Sequence, residues 1–358
     1  MGVAGRGATV PRCPAALLDP AMASAPIPTE LGAAAAKRAR RVTLTDRIAH
    51  GGFIAVSALS LGLIIAIAAF VVTEAWPSFA ANGLRWFTDG PVPLDVQLSS
   101  AFSDGSTKLR AWPALYGTIL TTGGALLVAF PFALLASIFV AEIAPRAVAR
   151  VLEPIVSLLA ATPSVIFGLF AILILAPQID SHLIDPGKAG QLAPVVTLTG
   201  ASFLLGLIVL AVMIAPIMIA IFVDALRAVP VAWSEGAIAL GCDRWRAARR
   251  VSLIAIRPAL VAGTGLAIGR AVGEAIALSM ASGSLGFTPN ILDGLYFFVE
   301  PVRPLAAAIV DYSEGFDQPA LRADLFAFGA ILLITTAALT LAARLVSHPL
   351  ERRLQGHD

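Results

Sequence analysis

The chain has 358 residues, of which 58% are hydrophobic and only 13% charged, and its mean hydropathy is +0.85. A soluble domain carries about 25% charged residues, so an ordinary soluble enzyme is excluded and an all-α polytopic membrane protein is indicated. The formal net charge of +2 excludes nothing, because placement of charge carries the information in such proteins.

Residues 1–46 are rich in Ala, Pro and Arg without an apolar period, and are read as a disordered cytoplasmic tail. No continuous apolar core of a signal peptide precedes Lys37. The membrane domain, 47–358, holds six segments near the ~20 apolar residues that cross a bilayer: 53–73, 115–141, 154–176, 194–223, 258–280 and 325–346. The fourth is long enough to require tilt or an extension beyond the bilayer. Pro163, followed by Gly168, is expected to break the third and to free backbone groups near Thr162 and Ser164. Pro131 and Pro216 read as kinks. The stretches 74–113 and 284–322 read as solvated loops, the second with an acidic face. With both termini inside, 17 Lys and Arg fall on the cytoplasmic side and six outside, so both termini are expected to be cytoplasmic.

The fifth segment carries Arg270 near its middle, about 18 Å along the helix from Pro258. Glu274 follows four residues later, on the same helical face, so a pair is expected. Gly265, Gly269 and Gly273 form a ridge for close helix approach on a neighbouring side. Two readings stand: a buried salt bridge that fixes register, or an arginine lining a path with a carboxylate that orients it.

The loop 224–257 contains "VPVAWSEGAIALGCDRWRAARRVSLIAIRP", residues 229–258. Pro230 suits a helix start and Gly241 a left-handed helix end. Trp233, Ala237, Ile238 and Leu240 give the short helix an apolar side that needs a partner. Arg244, Arg246, Arg249 and Arg250 suit lipid phosphates, and no nucleic-acid partner is expected. Cys13 and Cys242 form no framework, the four His form no metal cluster, and no Gly-x-x-x-x-Gly-Lys loop is present. Neither a metal, a cofactor nor an enzymatic site is therefore expected.

This loop resembles the EAA loop of ABC-importer permeases: Glu235, Gly236 and Ala237 fill the triplet, and Gly241 stands at the family's spacing. It departs at Gly236, where the family has Ala, and at Ile254, where it has Pro; Pro258 can supply the bend. Further motifs are similar to those of the permeases of the phosphate-specific transporter. They are "WPALYGTILTT" (112–122), "AEIAPR" (141–146), "LAATPSVIFGLF" (159–170) and "GRAVGE" (269–274). The C-type permease is the better match than its A-type sister, although "ALSMASGS" departs from the C-type run.

The resemblance implies six transmembrane helices in the type I ABC-importer permease architecture, in a bacterial cytoplasmic membrane. It implies a sister permease, a cytoplasmic ATPase dimer and an extracytoplasmic phosphate-binding protein as partners. Glu235, Gly236, Ala237, Leu240 and Gly241 would couple to the ATPase, while Arg270, Glu274, Thr162 and Ser164 would line the translocation path. The alternatives are a permease for another oxyanion, such as molybdate, sulfate or phosphonate, or a secondary transporter.

Overall fold

The computed structural model describes residues 29–106, 108–184, 187 and 198–354. Two units are distinguished, Met1–Ala66 and Ile67–Asp358. Among the described residues, five helices are long and apolar enough to span a membrane: Ala49–Phe87, Trp112–Ile143, Ser164–Leu183, Phe203–Ala228 and Pro319–Val346. The sixth is a pair bent by 73°, Arg244–Ala255 and Arg257–Val272.

Several boundaries differ from the sequence-based expectation, each for a local reason. Helix α1, Thr29–Asn82, includes 29–46, where the composition predicts disorder. That stretch lacks an apolar period, but most of its residues are Ala, Leu, Lys and Arg, all strong helix formers. Residues 1–28 of the expected tail lie outside the described ones. The stretch 74–113 is not simply a loop, for it holds the end of α1 and helix α2, Leu94–Ser103, with Leu94 and Leu98 fully buried. After α3, Trp112–Ile138, the expected third span splits. Its first part belongs to α4, Arg146–Ala161, and Pro163 separates it from α5, Ser164–Phe170, which continues through a wide turn into α6, Ala176–Leu183.

The fourth span is α7, Phe203–Ala228, opened by Ser202, whose hydroxyl accepts the Leu205 N–H at 3.4 Å. Its 26 residues extend about 39 Å, and the expected start at 194 falls outside the described residues. Because α7 runs to Ala228, the loop expected from 224 begins only at Val229. Its first helix is α8, Val231–Ala239, followed by α9, Arg244–Ala247. The segment 258–280, expected as one span, divides into α10, Arg257–Val272, and a separate α11, Ile276–Ala281. Short helices α12, Tyr296–Val299, and α13, Leu305–Asp311, lead to α14, Pro319–Leu354.

Helix α7 is the axis of the second unit. Leu210, Ile214, Met218 and Phe222 are almost wholly buried against Ala125, Ala129 and Ala133 of α3. Alanines on one helix facing large side chains on the other let the backbones approach while filling the space between. Phe130 meets Phe222 edge to face, with centroids 6.2 Å apart. The expected glycine ridge of α10 is only partly used. A Cβ on Gly265 would lie 2.9 Å from Ala343 Cβ, whereas Gly269 meets nothing and Gly273 only carbonyls of its own helix. Gly263, which the ridge did not include, is pressed against Phe222 and Ile221 of α7. The ridge fails at its far end because the helix stops at Val272.

Candidate functional site

Two membrane helices of this chain are broken, and their breaks meet through neighbouring elements. In the first, Thr162 closes α4, its hydroxyl donating to the Leu158 carbonyl at 2.9 Å, and Ser164 opens α5. Pro163 cannot donate a backbone N–H, so a continuous helix would leave a carbonyl unsatisfied there. In the second, Gly273 caps α10 and the chain leaves helical geometry before α11 begins. Helix α5 packs on α11 through Gly168, where a Cβ would lie 3.2 Å from Ala277 Cα and 2.9 Å from Met280 Sδ.

Arg270 stands just before the second break and Glu274 within it, and they do not pair. Arg270, in the last turn of α10, is exposed and makes no hydrogen bond or ion pair with any described residue. Glu274 is buried, and its Oε1 accepts the Ala277 N–H at 3.2 Å, capping the start of α11. The expected i, i+4 pair assumed an unbroken helix; with the break at 273–275 the two side chains no longer lie one turn apart on one face. The carboxylate instead satisfies an orphan N–H of the new helix. No hydrogen bond or ion pair joins Thr162 or Ser164 to either charged residue among the described residues.

A second charged cluster escaped the sequence reading. Arg303, expected on a solvated acidic face, is buried with only 9% of its side chain exposed. It pairs with Asp95 of α2 and, at 3.3 Å from Nε, with Asp311 of α13, and donates to the Ser284 carbonyl. Its guanidinium also lies 5.1 Å from the centroid of Tyr312. Asp311 accepts in turn from Ser279 of α11. Glu300 is likewise buried, one oxygen accepting the Asn290 N–H at 3.2 Å. Part of the stretch 284–322 is thus folded inward around Arg303 and Glu300, while Glu314 and Asp317 stay exposed on the acidic face. The signal available was "PVRP", a lone cation between prolines in an acidic stretch (301–304). Ser284, the only described non-glycine residue with positive φ (+46°), is held by this cluster.

At the other end of α3, whose Gly117 touches the Arg303 backbone and whose Ile138 packs on the loop root, lies the loop after α7. Helix α8 ends as the glycine predicted. Gly241 adopts φ +88°, the Gly241 N–H reaches the Ile238 carbonyl at 2.9 Å, and the Cys242 N–H reaches the Ala237 carbonyl at 3.1 Å. This is the paired-bond helix end that favours glycine. No residue of α8 is buried; Trp233, Glu235, Gly236, Ile238 and Leu240 are all exposed, and Ala237 is half-buried. The helix is nonetheless rooted. Ala248 and Ile256, after it, are buried in one apolar cluster with Ile138 at the end of α3 and Leu226 at the end of α7. The bend into α10 occurs at Ile256, with Pro258 in the first turn of the new helix, where its missing N–H costs nothing. A proline at 254 is not needed for it. Glu153 of α4 holds Arg227 of α7 in a two-armed ion pair that keeps the Glu153 carboxyl below its ordinary pKa.

Residues 133–356 match the family model described as the binding-protein-dependent transport system inner membrane component. The phosphate transport system permease protein PstC of Mesorhizobium japonicum is 29% identical over 314 residues, 85% of this chain and 90% of that protein. The phosphate transport system permease protein PstC 1 of Mycobacterium tuberculosis is 32% identical over 307 residues, 79% of this chain and 89% of that protein. Among solved structures, the inward-facing MetNI methionine ABC transporter aligns with 74% of this chain and 99% of that one, at 15% identity and a TM-score of 0.47, too distant to bear on detail.

Proposed function

The chain belongs to the inner-membrane components of binding-protein-dependent transport systems, and from that membership we propose how it moves its substrate. It is a multi-pass permease of the cytoplasmic membrane, of the phosphate-importing C type, and not itself an enzyme. The observation that carries the mechanism is Arg270: a guanidinium at the broken end of a membrane helix, exposed and without a counter-ion among the described residues. A charge within a membrane helix costs about 2.5–3.5 kcal/mol on insertion scales, and no internal pair offsets it here. An anion passing by would.

Phosphate carries one to two negative charges near neutral pH and presents several acceptor oxygens. The guanidinium offers planar paired donors and keeps its proton, so it suits brief contact with such an ion. Glu274 acts as a positioning residue: by capping α11 it holds the break open beside Arg270. Thr162 and Ser164, at the neighbouring break, complete the path with backbone polar groups that a continuous helix would hide.

Helix α8 is the contact for a cytoplasmic ATPase dimer. Its uncovered apolar side supports this reading, with Glu235, Gly236, Ala237 and Leu240 on the helix and its cap, and Gly241 ending it. Motion of α8 would pass through the Ala248–Ile256 root to α7 and α10, and so to Arg270. In this reading both termini are cytoplasmic, Arg249 and Arg250 meet lipid phosphates, a sister permease completes the pathway, and an extracytoplasmic binding protein delivers phosphate.

The test is phosphate uptake into vesicles bearing the whole transporter, normalised to assembled complex. Arg270→Gln keeps length and donors but removes charge, and uptake is expected to fall about 100-fold, equal to about 2.7 kcal/mol. Uptake at the parent rate by assembled Arg270→Gln transporter would overturn the path role.

A further inference from the structure

The end of the second unit that carries Arg303 has a cavity of about 400 Å³ between the end of α1, the 90–92 segment, α2 and Ser106, Lys108 and Arg110. That is far more than the ~10–15 Å³ that admits one water. Its walls are set by polar side chains already committed to backbone. Asn82 donates to the Ser78 carbonyl at 2.8 Å and accepts the Leu109 N–H at 2.9 Å. Gln97 donates to the Val92 carbonyl at 2.7 Å and accepts the Arg110 N–H at 2.7 Å. What remains available is positive: Arg85, Lys108 and Arg110 all line the cavity.

The charge balance around it is one-sided. Among the five described cations on this side, Arg303 is paired with Asp95 and Asp311, and Arg322 with Glu74 at 3.0 Å. The other three are those of the cavity. Arg85 and Lys108 have exposed side chains, and neither they nor Arg110 form an ion pair with a described residue. Arg110 spends one arm on the Asp89 carbonyl at 2.7 Å, which fixes its stem across Gly90. The nearby Asp89 carboxylate does not line the cavity and is occupied by the Gly90 N–H at 2.8 Å and the Thr288 hydroxyl at 3.1 Å. Among the described residues, no carboxylate lines it.

We infer that this cavity is a binding site for a phosphate-type oxyanion, separate from Arg270, on the side that the proposed orientation makes extracytoplasmic. Three cations around one cavity, with no acid among the described lining residues, match a multiply charged tetrahedral anion and repel cations. The same chemistry would accept a lipid phosphate headgroup, because the cavity opens at the end of a membrane helix. Only the choice of phosphate rests on the transport reading; the binding of an oxyanion does not.

The experiment uses the full-length protein in phospholipid-free detergent, at low ionic strength, with labelled orthophosphate in equilibrium dialysis. An Arg270→Gln background removes the path contact, so failure here is distinct from failure of the transport mechanism. Arg85→Gln with Lys108→Gln leaves the Arg110 hydrogen bonds intact and is expected to weaken binding about tenfold. Arg85→Lys with Lys108→Arg keeps charge and should retain it, and added salt should abolish it in the parent. In a parallel arm, phosphatidylglycerol retained on the purified protein is counted by native mass spectrometry. Loss of orthophosphate binding in the double variant identifies free phosphate, and loss of retained lipid alone identifies the headgroup. Unchanged orthophosphate and lipid binding in the double variant overturns the site.

Discussion

Two arginines in this protein occupy opposite electrostatic situations. Arg303 is buried, held by two carboxylates, a carbonyl and an aromatic ring, and its neighbourhood links α2, α11 and α13. Arg270 is exposed in the last turn of α10 and is held by nothing described. The contrast separates a charge that serves the fold from one whose donors are open, as the proposed path role requires. A fully compensated cation adds little net binding capacity, since any anion entering must displace carboxylates already in place. An uncompensated one has its donors free.

The sharpest break of this comparison is Arg303→Met. It strands Asp95 and Asp311, and removing one partner of a buried charge cluster costs about 3–5 kcal/mol. Thermal unfolding of the purified transporter should show a large loss, and adding Asp95→Asn and Asp311→Asn should recover much of it. If Arg303→Met melts like the parent, the cluster is not structural. Arg270→Gln should behave in the opposite way, with the uptake loss stated above but an unchanged melting temperature. A matching drop in stability would erase the distinction between the two arginines.

The comparison extends to helix α8, which is open like Arg270 yet ends on a rigid device. Gly241→Val forces a β-branched side chain into a left-handed conformation, a strain of about 1–3 kcal/mol. Space is not the obstacle, for a Cβ there meets nothing within 4 Å. ATPase co-purification and uptake should fall while membrane insertion persists; undiminished ATPase binding would count against the docking role. Glu274→Ala removes the cap on Ala277 and should cost about 1 kcal/mol in melting, whereas Glu274→Gln keeps an acceptor and should cost less. Equal losses for the two would argue that charge, not capping, matters at Glu274.

The smallest effect concerns Glu153. Its carboxyl pKa is lowered in the folded protein by the hydrogen bond from Arg227, so its contribution is present above the ordinary carboxylate range. That contribution fades as pH falls through the lowered value. Glu153→Gln should therefore narrow its stability gap to the parent as the pH falls through that range. A gap independent of pH would assign the effect to packing instead. Both side chains are more than a third exposed, so solvent screens the pair and the difference will be modest.

Hydrophobic length alone determined that this chain spans a membrane, because about 20 apolar residues have no other stable solvent. Gly241 and its spacing determined where the short helix ends, because left-handed backbone geometry is a local property that glycine satisfies alone. Pro163 announced its break for an equally local reason. The sequence could not decide whether Arg270 and Glu274 pair, since i, i+4 neighbourhood holds only while the helix continues, and neither Gly273 nor Glu274 dictates a stop by itself. Nor could it foresee Arg303, whose partner Asp95 lies 208 positions earlier. Such pairing arises only when α2, α11 and α13 are packed together and water is excluded from between them. Charges across a chain are read correctly in isolation only when solvent surrounds them; once buried, their meaning belongs to whichever distant groups the fold brings alongside.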